Sequence, residues 1–420
     1  MDVLKKVLAE IEPSKQEEKE ISKFSKAVIK MLKRYSGGKE IVLAGSIAKK
    51  TYISKNADVD IFVVFREKTP KIDMRGELEE MMMGAFPGTK YQLSYAEHPY
   101  IRFHIEGKRI DLVPAYKMKL GGERLTAVDR SVLHTKYILK KLKKKQRKDV
   151  ILLKQLLKAN GIYGAEIKTE GFSGYLCELL AIKYGSFKKL MRSAVKWKFP
   201  AIIDLKKYYK PKDSAMLVEK FDSEFIVIDP TDKNRNVAAA VSGKNLKKFV
   251  SLCKKFNRKP SVSMFLKEPE SFRKKIKSKK RYVVYIIEMP RPDTVDDVLW
   301  GQLKKLMKQM KHHLKEYKPG DFFADVDKKV RIAVPVKADK TLAVTEYGGP
   351  PAKMKDHAKK FRKKHRKALI VEKKGHLVAV EKRKPVKAEE AIKEFFKKYS
   401  KKGTHLSYPL SKIKIKMSVR

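Results

Sequence analysis

The chain has 420 residues and carries 100 Lys and Arg against 48 Asp and Glu, a formal net charge of +52. Hydrophobic residues make up 42% of it, which excludes wholesale disorder, and no apolar run reaches the ~18 residues of a membrane span. Such a charge excess repels itself, so it indicates a polyanionic partner or high salt. Nucleic acid is the first candidate partner; an anionic membrane surface and ribosome-like packaging without chemistry remain open.

The first twenty residues carry charges throughout and contain no apolar signal-peptide centre, so we expect a soluble protein of the cytoplasm. The two cysteines, Cys177 and Cys253, lie far apart in apolar helical patterns, and we expect both to be buried, reduced thiols. No spacing of Cys and His suggests a zinc site.

The N-terminal region predicts a helix followed by a sheet of about five strands. Apolar residues spaced three or four apart predict an amphipathic helix over 18–35, which ends at Gly37 and Gly38. Short apolar runs predict the strands EIVLAG (40–45), DVDIFVVF (58–65), YQLSYA (91–96), IRFHIE (101–106) and RIDLVPAY (109–116).

From about residue 127 the pattern changes, and helices are predicted at 149–164, with a stop at Gly161, and at 171–187 and 244–256. After about residue 260, helices and strands alternate as in small α+β modules. The expected fold class is α+β, with a mixed-sheet first domain, a helical central domain and an α+β C-terminal body at 1–145, 146–265 and 266–420.

Two aspartates, Asp58 and Asp60, stand at the start of a strongly apolar strand. Residues two apart in a strand face the same side, so each carboxylate raises the pKa of the other unless a cation lies between them. Asp111 interrupts another apolar strand. Three such carboxylates can hold two Mg²⁺ ions for in-line phosphoryl transfer. The alternative is a solvated strand end, with Asp111 paired to a nearby Lys or Arg.

A Gly45-Ser46 turn precedes the aspartate pair by eleven residues. Backbone N–H groups at such a turn, together with the serine hydroxyl, can hold a phosphate. A phosphate-binding turn, a carboxylate pair and a later acid on a strand, in this order, favour the catalytic interpretation. The order also resembles the nucleotidyltransferase superfamily of polymerase-β type.

Longer segments narrow the resemblance to the archaeal, class I CCA-adding enzymes, which are tRNA nucleotidyltransferases. The most specific are LLKQLLKANGIYGAEIKTEGFSGYLCELL and DPTDKNRNVAAAVS, and further ones are YAEHPYIRFHIEGKRIDLVPAYKM, AVDRSVLHTKY and RPDTVDDVLWGQL. The likeness covers most of the chain. The resemblance implies template-independent addition of C, C and A to tRNA 3′ ends from CTP and ATP, with Mg²⁺ and release of pyrophosphate.

The same resemblance assigns roles to individual residues. Asp58, Asp60 and Asp111 would be catalytic and bind the metal ions. The nucleotide-binding set would comprise Gly45, Ser46, Lys49, Ser131, His134, Lys154, Tyr163 and Arg235. The family usually has Arg at the position of Lys49, and lysine keeps the charge but loses the two-pronged fork.

Each of these assignments has a plainer alternative. His134 also fits a satisfied helix histidine, Lys154 a solvated helix face, Tyr163 a packing residue and Arg235 a surface charge in a loop. Without the resemblance, nothing in the residues favours Lys154 over the nearby Lys158.

Two further residues belong to the segment AEHPY between strands. The resemblance places Glu97 and His98 near the nucleotide or the primer end, and a salt-bridged turn is the alternative.

The C-terminal third is the most cationic part, and 353–367 contains nine Lys or Arg in fifteen residues. Met354, Ala358 and Phe361 predict a helix docked on one side with a basic outer face. The resemblance implies that these modules grip the acceptor stem and T-arm of tRNA, and it suggests a homodimer. Two rival functions remain open: a poly(A) polymerase or other RNA 3′-terminal nucleotidyltransferase, and a catalytically inactive basic RNA-binding protein.

Overall fold

The computed structural model describes residues 2–66, 69–95, 99–118, 129–268 and 270–418, except for the side chains of residues 94, 95 and 99. Glu97 and His98 therefore lie outside the described residues. The backbone divides into two compact units, Met1–Pro269 and Glu270–Arg420.

The first part of the N-terminal unit is a five-stranded mixed sheet with helices. Its elements are α1 Val3–Ile11, α2 Lys15–Arg34, β1 Glu40–Leu43, α3 Gly45–Lys49, β2 Val59–Phe65, α4 Lys71–Ala85, β3 Tyr91–Tyr95, β4 Pro99–Ile105 and β5 Lys108–Tyr116. The strand order is β1-β2-β5-β4-β3, in which β2 and β5 run parallel and the other pairs antiparallel. The predicted helix and all five predicted strands are confirmed.

The apolar runs explain why this sheet forms. Ile61 and Val63 of β2 and Leu112 of β5 are fully buried against Leu32 of α2 and Leu78 of α4. Since β2 and β5 are interior strands of the sheet, buried backbone holds Asp60 near the start of β2 and Asp111 within β5.

The second part of the N-terminal unit is mainly helical. Its elements are α5 Arg130–Lys141, α6 Gln146–Ala159, α7 Gly174–Tyr184, α8 Phe187–Ala194, β6 Ala201–Asp204, a 3₁₀ turn at Pro211–Asp213, α9 Ser214–Phe221, β7 Phe225–Asp229, β8 Asp232–Asn236, α10 Gly243–Arg258 and α11 Ser263–Leu266. Apolar side chains of α6, α7, α8 and α10 share one core, which also buries Cys177 and Cys253 as free thiols. Both cysteine predictions are confirmed, and Gly161 follows α6 with φ +66°, as its stop role requires.

This part also contains a three-stranded sheet, β6-β7-β8, that the sequence did not predict. β6 has only four residues and β8 is the polar segment DKNRN, so neither shows apolar alternation. Arg235 consequently lies in β8, not in the loop that the sequence suggested.

The C-terminal unit contains two antiparallel sheets and four helices among its described residues. Its elements are α12 Phe272–Lys277, β9 Val283–Pro290, α13 Asp296–His313, β10 Phe323–Val326, β11 Lys329–Val336, β12 Val344–Pro351, α14 Lys355–Lys364, β13 Leu369–Lys373, β14 His376–Lys382, α15 Ala388–Tyr399 and β15 Lys414–Met417, with 3₁₀ turns at Lys315–Tyr317, Ser400–Lys402 and Leu410–Lys412. The sheet orders are β10-β11-β9-β15 and β12-β14-β13, and α13 and α15 pack on the first.

The basic segment forms α14, as predicted. Ala358 is buried and Phe361 lies against Gly349 of β12, whereas Met354 is 47% exposed, so the docked stripe is narrower than expected. In the described part of the chain, no helix combines the length and apolar character that crossing a bilayer requires.

Candidate active site

The centre of the first sheet brings the three predicted carboxylates together. Parallel pairing of β2 with β5 places Asp60 directly beside Asp111, and Asp58 immediately precedes β2. Burial, followed by the negative charges of Asp111 and Asp58, raises the pKa of Asp60 to about 6. Burial also raises the pKa of Asp58. The carboxylates therefore lie close enough to disfavour one another's ionisation.

Two arginines compensate the outer carboxylates of this trio. Arg102 of β4 lies opposite Asp111 and binds it with two prongs, Nε to Oδ1 and Nη2 to Oδ2, both at 2.8 Å. Arg109 of β5 pairs with Asp58, and its Nε lies 3.8 Å from Asp111 Oδ1. The plainer alternative for Asp111, an ion pair with a nearby arginine, therefore occurs in this structure. Arg109 interacts with Asp60 through its charge, without a direct hydrogen bond.

Gly45 lies directly against Asp60. It has φ +65°, and a Cβ built on it would fall 1.8 Å from Asp60 Oδ2. Any side chain here would collide with the carboxylate and strain the backbone. The predicted turn at Gly45-Ser46 is in fact the start of α3, and Ser46 is half-buried in its first turn.

The donor set of the trio suits a hard divalent cation, because all its ligand atoms are carboxylate oxygens and the charge of Asp60 is poorly compensated. The trio is not preassembled around a metal ion: within the described ranges, no three acidic, His or Cys side chains are arranged to hold one. Arg102 binds both oxygens of Asp111, whereas Arg109 donates to Oδ2 of Asp58.

A buried charge cluster lies between α3, α6 and α7. Glu178 of α7 is fully buried and accepts hydrogen bonds from Lys49 Nζ and Thr51 Oγ1, both at 2.7 Å. Lys154 Nζ lies 3.6 Å from Glu178 Oε1 and donates to the Thr51 carbonyl at 2.9 Å. Lys49 and Lys154, which the sequence predicts to bind the triphosphate, therefore share the carboxylate of Glu178.

Lys154 is only 2% exposed, so it is not the solvated helix residue of the plainer alternative. Burial lowers the pKa of Lys154, while the charge of Glu178 raises it. Tyr163 approaches the same place: a Cβ at Gly174 would lie 3.2 Å from Tyr163 Oη and 3.5 Å from Lys154 Nζ. The missing side chain at Gly174 leaves room for both groups.

A second buried carboxylate, Asp229 at the end of β7, gathers the remaining predicted residues. His134 Nε2 lies 2.8 Å from Asp229 Oδ2, and Arg235 Nη1 donates to the same oxygen at 2.9 Å. Tyr175 stacks on the His134 ring at a centroid distance of 3.9 Å, and its hydroxyl donates to Asp229 Oδ1 at 3.1 Å. Ser131 is half-buried one turn before His134 on α5.

The chain matches three family models. They are a nucleotidyltransferase domain over residues 21–152, the second domain of tRNA nucleotidyltransferases over 148–266 and the C-terminal domain of CCA-adding enzymes over 280–416. The CCA-adding enzyme of Methanocaldococcus jannaschii is 34% identical over 389 residues, which cover 88% of this chain and 85% of the relative. That of Sulfurisphaera tokodaii is 38% identical over 311 residues, covering 74% and 71%.

The chain belongs to the CCA-adding enzyme family. It is accordingly a tRNA nucleotidyltransferase of archaeal type, and the predicted family, fold class and enzyme class are confirmed. Among solved structures, the Cid1 poly(U) polymerase bound to MgATP matches 63% of this chain and 98% of its own, with a TM-score of 0.50 and 16% identity. At that identity the likeness shows a shared fold alone.

The CCA-adding enzyme fold brings the predicted residues into three neighbouring groups. The carboxylates lie on the central strands β2 and β5 beside Gly45, Lys49 and Lys154 lie at Glu178, and His134 and Arg235 lie at Asp229. Their individual roles remain predictions.

Four side chains that hold this CCA-adding site together were missed by sequence reasoning: Glu178, Asp229, Arg102 and Arg109. Glu178 carried a weak signal, because it interrupts the apolar helix GYLCELL where a lone acid needs a buried partner. Asp229 ends the apolar strand FIVID in the same way. The arginines carried no signal among a hundred basic residues.

Proposed function

We propose that the protein completes tRNA 3′ ends with C, C and A from CTP and ATP, without a nucleic-acid template, by nucleotidyl transfer at Asp58, Asp60 and Asp111. The observation that carries this proposal is the parallel register of Asp60 with Asp111, which gathers three carboxylates with an undercompensated charge. Such a cluster favours binding of divalent cations.

The three aspartates would hold Mg²⁺ through their carboxylate oxygens. When bound, the metal would supply activation of the tRNA 3′-hydroxyl and neutralisation of the pyrophosphate that leaves. Gly45 keeps the space beside Asp60 free of side-chain atoms, and Ser46 offers its hydroxyl and backbone N–H next to that space. This chain would therefore position the α-phosphate through backbone close to the carboxylates.

Lys49, Lys154 and Tyr163 would form the triphosphate-binding side of the site. The two ammonium groups share the single charge of Glu178, so the cluster keeps a formal excess of one positive charge. A triphosphate bound beside Lys49 and Lys154 would be attracted by this excess positive charge. His134 and Arg235 would contact the nucleoside end, with Ser131 beside them.

The basic C-terminal unit would bind the acceptor stem and T-arm of tRNA through phosphates and 2′-hydroxyls, which A-form RNA presents irrespective of sequence. The outer face of α14, with Lys359, Lys360 and Lys363 exposed, is one candidate surface. The proposed domain limits are those of the sequence, 1–145, 146–265 and 266–420. We further propose a cytoplasmic enzyme that forms a homodimer, and both proposals rest on the sequence and its family resemblance alone.

The direct test incubates the purified protein with Mg²⁺ and tRNA that lacks its CCA end, using labelled CTP and ATP singly and together. We expect two C residues followed by one A, and no incorporation when EDTA is present. Continued addition of A, or incorporation that ignores CTP, would instead assign a poly(A) polymerase or another terminal transferase. Binding of tRNA without any incorporation would assign an inactive RNA-binding protein.

A further inference from the structure

Asp229 occupies a saturated hydrogen-bonding position in the second part of the N-terminal unit. Its Oδ1 accepts from the Thr231 backbone N–H at 2.9 Å, the Thr231 hydroxyl at 2.8 Å and the Tyr175 hydroxyl at 3.1 Å. Its Oδ2 lies 2.8 Å from His134 Nε2 and 2.9 Å from Arg235 Nη1. Five polar groups therefore converge on one carboxylate, which offers about four lone-pair directions.

The five groups come from four separate elements. His134 lies on α5, Tyr175 on α7, Arg235 on β8 and Thr231 in the turn after β7. Asp229 and Thr231 are buried, whereas the Arg235 side chain is 32% exposed. The carboxylate is thus fixed from the inside and fixes two side chains that lie nearer the surface.

We propose that Asp229 is the positioning residue that orients Arg235 and His134 as one unit and thereby sets which nucleotides the site accepts. This inference rests on the proposed function, in which those two side chains contact the nucleoside end of CTP and ATP. Asp229 itself acts through them and does not touch the nucleotide.

The chemistry of the bases makes such positioning consequential. Cytosine and adenine each present an amino group beside a ring nitrogen that accepts a hydrogen bond, whereas uracil and guanine present a carbonyl beside an N–H. An arginine can only donate, so its guanidinium suits the ring nitrogen of cytosine or adenine and opposes the N–H of the others. Discrimination between the bases therefore depends on where the N–H groups of Arg235 point. The hydrogen bond from Arg235 Nη1 to Asp229 fixes the orientation of the guanidinium.

The same contact defines the state of His134. Burial lowers the pKa of His134, which keeps the imidazole neutral near pH 7. A neutral ring facing a carboxylate carries its proton on Nε2 and leaves Nδ1 as an acceptor. Asp229 therefore determines both the orientation and the tautomer of this histidine.

The substitution Asp229→Asn separates these effects from packing, since it preserves shape. The new amide can keep its oxygen toward Thr231 and Tyr175, or toward His134 and Arg235. The second choice would leave the buried N–H of Thr231 facing an NH₂ group, which costs more than releasing a partly exposed arginine. The amide is therefore expected to turn its NH₂ group to Arg235, which has no acceptor, and to His134, which can accept only after its tautomer changes.

The experiment measures kcat and KM for CTP, ATP, UTP and GTP on tRNA lacking CCA, with full-length protein. For Asp229→Asn we expect discrimination against UTP and GTP to fall by about 10- to 100-fold, the loss typical of a displaced charged hydrogen bond. The matched control is Asp222→Asn at the exposed end of α9, where discrimination should stay unchanged.

A double-substitution cycle with Arg235→Lys tests whether Asp229 acts through Arg235. We expect the second substitution to add less than about twofold to the loss, because both remove the same oriented donor. Nitrogen NMR of the imidazoles, with the His134 signal identified by its disappearance in His134→Gln, should show a proton on Nε2 in the native protein and on Nδ1 in Asp229→Asn.

An Asp229→Asn protein that unfolds more easily yet keeps full discrimination would overturn the proposal, since Asp229 would then be structural alone. Should Asp229→Asn not fold, Asp229→Glu keeps the charge but moves the carboxylate by one methylene group relative to His134 and Arg235, and unchanged discrimination there would equally overturn it. A native protein that adds no CCA would contradict the proposed function instead, and is recognised before any variant is made.

Discussion

Asp60 stands near the start of an apolar strand and Asp229 at the end of another, both in the N-terminal unit. Burial alone would raise the pKa of both carboxyl groups. At Asp60 the neighbouring negative charges of Asp111 and Asp58 add to this effect, and the pKa rises to about 6. At Asp229 the hydrogen bonds from His134 and the Thr231 N–H, together with the positive charge of Arg235, outweigh burial, so its pKa lies below the usual range.

The difference shows what each carboxylate does to the folded protein. Ionised Asp60 destabilises the metal-free fold, because its charge lacks a close cation, whereas ionised Asp229 stabilises it through five contacts. Glu178, paired with two lysines, resembles Asp229 and has a lowered pKa despite complete burial. Buried acids of the N-terminal unit thus divide into those whose charge lacks a close cation, such as Asp60, and those that hold several neighbouring side chains in place, such as Asp229 and Glu178.

The largest expected effect is the loss of catalysis in Asp60→Asn. Removing one carboxylate from the trio should cost several kcal/mol of transition-state stabilisation, an activity loss of roughly 10³-fold. Incorporation of labelled CTP into tRNA lacking CCA measures it. The control Asp73→Asn on α4 should retain native activity, and a loss of only a few-fold in Asp60→Asn would show that the trio is not the catalytic centre.

The substitution Glu178→Gln tests how much a paired, buried carboxylate contributes to the stability of the fold. Its amide leaves Lys49 and Lys154 buried without a matching charge, so we expect the free energy of unfolding to fall by about 3–5 kcal/mol. Urea denaturation measures the change against Glu10→Gln, an exposed position on α1 that should stay within about 0.5 kcal/mol of the native protein. A small loss at Glu178 would mean that the lysines find other partners.

The two kinds of buried carboxylate should differ in how their removal changes stability with pH: Asp60→Asn should stabilise the folded protein and Asp229→Asn should destabilise it. In metal-free protein above about pH 6, Asp60→Asn should be more stable than native by roughly 2 kcal/mol, and this gain should vanish as the pH falls toward 4, where folded Asp60 takes up its proton.

Asp229→Asn should behave in the opposite way, being less stable than native above pH 4, with the deficit shrinking as the pH falls further and Asp229 approaches its lowered pKa. Urea unfolding in EDTA from pH 3 to 8 measures both differences. If both variants were more stable than the native protein at neutral pH, or both less stable, the contrast drawn between Asp60 and Asp229 would be wrong.

The smallest expected effect concerns the arginine that occupies Asp111. Arg102→Gln removes a two-pronged competitor for a metal ligand, but the pair is partly exposed, so we expect a change of roughly 1 kcal/mol, or a fivefold lower Mg²⁺ concentration for half-maximal activity. Arg75→Gln on α4 is the matched control. A higher Mg²⁺ requirement in Arg102→Gln would show that the arginine supports metal binding.

Much of the site's position followed from local pattern. The apolar runs that contain Asp60 and Asp111 predict strands, and the two-residue spacing predicts that Asp58 and Asp60 share a face. The motifs around Lys154 and Arg235 carried the family resemblance, which the relatives confirm. The three-stranded sheet escaped prediction because β8, DKNRN, contains no apolar residue at all.

The sequence by itself therefore determined the first sheet, the acids on it and the family, because apolar periodicity and contiguous motifs are local properties of the chain. Only the tertiary structure decided which buried charges meet. Glu178 joins Lys49 across 129 residues and Asp229 joins His134 across 95, and hydrophobic pattern indicates that such acids are buried without indicating their partners. Those pairings follow from helix and strand packing, which brings Glu178 and Asp229 within hydrogen-bonding distance of cationic or donor side chains and so offsets the cost of burying their charge.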